Sequence, residues 1–244
     1  MPSADSIADL HEAVRKDEPD LIRGKLAAKA YQYGTSPGAM LLLAINPSSG
    51  DSLFHTAMRA ERLDALSALR KIFTPNGSFE IPIRLLFKHK NYQGETMLHV
   101  AAQTGNQEMV TAAYRLFCRD SLPSEPRFTP TPAEERNKGL EDRHRLPPLM
   151  FLLEQNTASQ DAAGAARANG HEDVARWIER LITQLDPHGD RNDVKVKERM
   201  QEFIRQHYQH EYTEIQVEDD MVDEDYSDDE EDADNKHNHE GKNN

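Results

Sequence analysis

The 244-residue sequence contains a single cysteine, Cys118. One thiol excludes an internal disulfide framework and suits a reducing compartment, cytoplasm, nucleus or both. Long apolar runs are missing too. The longest, Ala39–Ile45 (AMLLLAI), falls well short of the roughly 18 residues that cross a bilayer and suits a buried helix, so no membrane partner is expected. The first residues are polar and carry Asp5, Asp9 and Glu12, unlike a secretory signal. There is no Gly-x-Ser-x-Gly, no phosphate-cradling Gly-x-x-x-x-Gly-Lys and no pair of cysteines at zinc spacing. Cys118, between Phe117 and Arg119, reads as a structural or incidental thiol and not a reactive one. Enzyme activity, a resident metal and a cofactor therefore have no positive support.

Charge is present but unevenly placed. The formal net charge is −14, and the stretch from Glu211 to Asn244 holds 15 of the 43 acidic residues against 2 lysines, which leaves the rest at about −1. Within Glu218–Asp234, 12 of 17 positions are acidic, among them Glu218, Asp219, Asp220, Asp223, Glu224, Asp225, Asp228, Asp229, Glu230, Glu231 and Asp232. Like charges at that density repel and leave too little apolar surface to fold, so 211–244 is expected to be a disordered acidic tail. Such a tail repels phosphates, and the near-neutral body offers no basic stripe, so nucleic acid is not an expected partner. Two uses stay open: a solubilising segment, or a mimic of nucleic-acid charge that shields a basic client. Ser227, followed by Asp228-Asp229-Glu230, is a candidate for acid-directed phosphorylation, which would add negative charge.

The body repeats itself. Leu10-His11 with Ala13, Phe54-His55 with Ala57, and Leu98-His99 with Ala101 recur at a period of 44 residues. Six residues after each histidine comes a polar break, at Asp17, Glu61 and Gly105, and an apolar pair follows at a fixed offset (Leu21-Ile22, Ala65-Leu66, Met109-Val110). This is the pattern of a helical hairpin. Small alanines allow close packing, the break lets the chain reverse, and Gly105 tolerates left-handed dihedrals. A second helix then buries residues at helical spacing. One hairpin cannot cover its own apolar face, so the units must stack.

The third unit, Asn91-Tyr92-Gln93-Gly94-Glu95-Thr96-Met97-Leu98-His99-Val100-Ala101-Ala102, resembles the ankyrin consensus Gly-x-Thr-Pro-Leu-His-x-Ala-Ala, with Met97 in place of proline. Gly50-Asp51-Ser52-Leu53-Phe54-His55-Thr56-Ala57 is a weaker copy in register, and Asn169-Gly170-His171-Glu172-Asp173-Val174 matches the family's Gly-His-x-x-Val. The resemblance spans roughly residues 7 to 185. It implies an all-α solenoid of stacked helical hairpins, in which His11, His55 and His99 form a ladder that hydrogen-bonds backbone near the hairpin turns, with Gly94, Gly105 and Gly170 as structural glycines. It also implies two faces for a protein partner, the hairpin tips and the inner surface of the first helices. Mapped here, the candidates are Ser48, Ser49, Asp51, Tyr92, Gln93 and Glu95 at the tips, and Met58, Arg59, Gln103 and Thr104 on the first helices. Few repeats, enlarged spacing and an acidic C-terminal segment are also similar in architecture to the fungal ankyrin-repeat chaperones that escort a basic small-subunit ribosomal protein.

Departures from the family carry information. Ankyrin repeats run about 33 residues, so a 44-residue period adds about 11. Pro37 before AMLLLAI and Pro82 before IRLLF predict a short added helix in each of the first two units. Residues 121–145, rich in proline and mixed charge, predict a long loop. Arg145–Asn156 (RLPPLMFLLEQN) mimics a repeat start, and whether one interrupted repeat or two partial ones follow stays open. Val196, Met200, Phe203, Ile204 and His207 lie on one helical face, so 189–210 is expected to cap the last repeat or to bind a partner. The expected organisation is a repeat domain over 1–188, that helix, and the tail from 211. The expected function is non-enzymatic protein binding by a chain that is monomeric when free. It acts either as an escort of a basic client or as a regulatory adaptor with an incidental tail.

Overall fold

Several helices begin where a short polar side chain, of Ser3, Ser36, Ser52 or Asp161, takes up an orphan N–H group of the first turn. The computed structural model describes residues 1–72, 86–117 and 142–189, with Glu198 and Glu202, and the side chains of 142–144 are not described. The chain divides after Ile204, and every described residue lies in Met1–Ile204. The Ser3 hydroxyl accepts from the Ser6 N–H at the start of α1 (Ala4–Arg15), and Pro19 opens α2 (Pro19–Gln32). Ser36 caps α3 (Pro37–Leu43), and Ser52 caps α4 (Leu53–Arg59), which leads into α5 (Leu63–Ile72). Thr96 starts α6 (Met97–Thr104), followed by α7 (Gln107–Phe117) and α8 (Asp142–Leu153). Asp161 caps α9 (Ala162–Ala168), its carboxylate accepting from the Gly164 N–H at 2.7 Å, and α10 (Glu172–Leu185) closes the order.

The first helices α1, α4, α6 and α9 pack side by side, and each turns back into its second helix, α2, α5, α7 and α10. Among the described residues the fold is an all-α ankyrin-repeat solenoid of four hairpins, in line with the three units in register and the last unit that the sequence pattern predicts. The polar breaks are the reversal points. Asp17 (φ +58°), Glu61 (φ +56°) and Gly105 (φ +74°) all adopt the left-handed conformation, which costs a non-glycine residue about 1 kcal/mol. Contacts between successive turns offset that cost. The Asp17 carboxylate accepts the Ala65 N–H at 2.7 Å, capping α5 of the next repeat, and the Asn106 amide donates to the Glu61 carboxylate at 2.6 Å.

Extra residues in the enlarged units join the core. The added helix predicted at Pro37 is α3, and it buries Met40 and Leu41. In the second unit 73–85, with Pro82, lies outside the described residues. Leu86 and Phe87 are buried there, and the Phe87 ring meets Phe54 edge-on at 5.2 Å. Each such large side chain contributes about 1.5–3 kcal/mol by leaving water.

The region after Phe117 corrects one expectation. The predicted loop does not reach 145, because a helix, α8, begins at Asp142 and contains Arg145. Helix α8 stands where α3 stands in the first unit, just before a hairpin turn. It carries Pro147 and Pro148 and buries Leu146, Leu149, Phe151 and Leu152, with Phe151 stacked on Phe117 at 4.3 Å. The repeat itself starts at Asp161, so among the described residues between 142 and 185 there is a single hairpin, α9 with α10. The remainder of the predicted loop, the body of the 189–210 helix and the whole 211–244 tail, including Ser227 and the acidic positions 218 to 232, lie outside the described residues.

Candidate partner-binding face

Three hairpin tips project from the row of first helices, and an asparagine builds each of them. The N–H of Asn46 donates to the Asp51 carbonyl (2.9 Å), that of Asn91 to Glu95 (3.0 Å) and that of Asn156 to Gln160 (2.9 Å). Their side-chain oxygens accept from the turn: Ser48 N–H for Asn46, Gln93 and Glu95 N–H for Asn91, Ala158 and Gln160 N–H for Asn156, all at 2.9–3.0 Å. Gly50 (φ +75°), Gly94 (φ +72°) and Ser159 (φ +58°) provide the left-handed residue. Backbone bonds tie successive tips together, from Tyr92 N–H to the Ser49 carbonyl (3.0 Å) and from Thr157 N–H to the Gln93 carbonyl (2.9 Å).

Histidines lock the tips to the helices below. His55 and His99 occupy the third position of α4 and α6, and in each the Nδ1 accepts from the N-cap residue: the Ser52 hydroxyl at 2.7 Å and the Thr96 hydroxyl at 2.9 Å. Their Nε2–H groups donate across to the next tip, to the Glu95 carbonyl (2.9 Å) and the Gln160 carbonyl (3.1 Å). His11 donates to the Ala44 carbonyl (3.3 Å) and accepts from the Thr56 hydroxyl (2.6 Å). A carbonyl can only accept, so all three rings carry a proton on Nε2, and the Ser52 and Thr96 N–H groups aimed at Nδ1 of His55 and His99 (3.4 and 3.3 Å) keep those two rings neutral. Burial pushes His11 and His55 down to about 4 and lowers His99 as well. The geometry is structural, and among the described residues no group of His, Cys, Asp and Glu side chains could hold a metal.

The structure brings four of the candidate partner residues into one network. Asp51 and Glu95 are almost buried, with side chains 10% and 9% exposed. The Asn91 amide donates to both carboxylates, at 2.9 Å to Asp51 and 3.0 Å to Glu95. Gln103 donates to the other Glu95 oxygen, and the half-exposed Arg59 guanidinium lies 3.4 Å from Asp51 and 3.9 Å from Glu95. Tyr92 is 67% exposed, its hydroxyl on the Pro47 carbonyl (3.3 Å) and its ring against Gly50, and Gln93 beside it is exposed. Met58 is fully buried and serves the core, not a partner. Thr104 is occupied in its own turn, its hydroxyl donating to the Ala101 carbonyl at 2.8 Å. Gly94 and Gly105 lie under the neighbouring repeat: a Cβ would stand 2.9 Å from the Thr157 nitrogen and 2.3 Å from His171 Nδ1. Gly170 (φ +82°) has open space around it.

The ankyrin motif does not single out the three tip asparagines. Their signal is in the sequence all the same: Asn46, Asn91 and Asn156 each precede by five or six residues the helix-capping Ser52, Thr96 or Asp161.

Comparison with known proteins supports the same fold. No protein-family model and no curated protein sequence matches the chain. Solved structures do match. The chain is similar to the yeast chaperone Yar1, an ankyrin-repeat protein, as seen in the crystal structure of yeast ribosomal protein Rps3 in complex with it. The TM-score is 0.50 and the identity 14%, over 74% of this chain and 95% of that one. At that identity the likeness is one of fold. No enzyme family is indicated, and among the described residues no helix is long and apolar enough to cross a membrane.

Proposed function

We propose that this chain is a non-enzymatic binding protein that escorts a basic client protein, with the tips and inner face holding the client and the acidic tail screening its charge. The observation that supports this reading most is the combination of the fold likeness to a chaperone solved with its ribosomal-protein client and the 12 acids of Glu218–Asp234. A basic client attracts an acidic segment through many weak, salt-sensitive contacts. Deleting residues 217–234 then weakens capture of the co-purifying client and flattens the dependence of its affinity on salt. Unchanged affinity at low salt sinks the escort reading.

A second reading, a regulatory adaptor that binds through the repeats alone, is favoured by one observation, the rigidly held and exposed Tyr92. Under it, substituting Tyr92 or Gln103 abolishes partner binding, and tail deletion leaves binding as it was.

A further inference from the structure

We draw no further inference here: the strongest candidate, the cluster of Ser3, Ser6, Lys29 and Tyr33 at the start of α1, is a helix N-terminus whose hydroxyls and ammonium already bond one another, and nothing at it points to a ligand.

Discussion

Lowering the pH from 7 to 5 should weaken the solenoid through its histidines, and replacing one of them should remove a calculable share of the loss. In the unfolded chain an imidazole titrates near 6.5. In the fold, His55 is fully buried and its Nδ1 is committed as an acceptor from the Ser52 cap, so protonation is pushed down to about 4. Between these values the unfolded chain binds more protons than the folded one, so stability is complete above about pH 6.5 and falls as the pH drops towards 4. At pH 5 the unfolded imidazole is almost wholly charged and the folded one about nine-tenths neutral, a difference of about 2 kcal/mol for this single residue. His11, also depressed to about 4, adds a similar amount, and His99 shifts the same way. Carboxylates titrate in the same range, so the informative quantity is the difference between the wild type and His55→Gln, whose side-chain amide can still donate to the Glu95 carbonyl. Urea unfolding followed by circular dichroism at both pH values should show the variant less stable at pH 7 yet losing about 2 kcal/mol less on acidification. Parallel losses in the two proteins would refute the assignment of His55 as a buried neutral ring.

Two substitutions test the tips and turns. Gly105→Ala must place a Cβ at φ +74° and 2.3 Å from His171, so it should cost well over 2 kcal/mol, while Gly170→Ala, at φ +82° in open space, should cost only about 1 kcal/mol; thermal melting of the pair separates conformational strain from collision. Asn91→Ala removes two turn bonds and the shared donor of two nearly buried carboxylates, an expected loss of about 3 kcal/mol in urea unfolding, and hydrogen exchange at Glu95 should accelerate first.

What the sequence makes legible follows the physics of repetition. Asp17, Glu61 and Gly105 stand at the reversal points because a tight turn between helices needs one left-handed residue at a fixed place, and a fixed place repeated is a period. The histidines are legible for the same reason. Arg145–Leu153 misleads because its Pro-Leu and apolar run satisfy the motif locally, while its helix is used as an added segment packed on α10. The candidate partner residues were legible as positions but not as a network. Nothing in a linear pattern says that Asp51 and Glu95 are joined by Asn91, or that Met58 on the same helix as Arg59 faces the core.

The fourth repeat is hard to find for a reason the ladder itself explains. At the position of His55 and His99, third in the first helix, α9 has Gly164, and its start is capped by the Asp161 carboxylate alone. A histidine at this position does two things: it completes the cap, and it donates forward to a carbonyl of the next tip. Among the described residues no tip follows α10, so a buried Nε2–H at 164 would have no acceptor and would cost about 1–3 kcal/mol. There is little room for one either, since even a Cβ at Gly164 would lie 3.3 Å from the Asp161 carboxylate and the Gln160 side chain. Absence of the motif histidine is therefore what the end of a hydrogen-bonded stack requires, and the residue that hides the last repeat from a motif search marks it as the last among the described ones. Gly164→His tests this directly: it should destabilise the chain, whereas a histidine at a position with a tip beyond it, as at 55 or 99, stabilises.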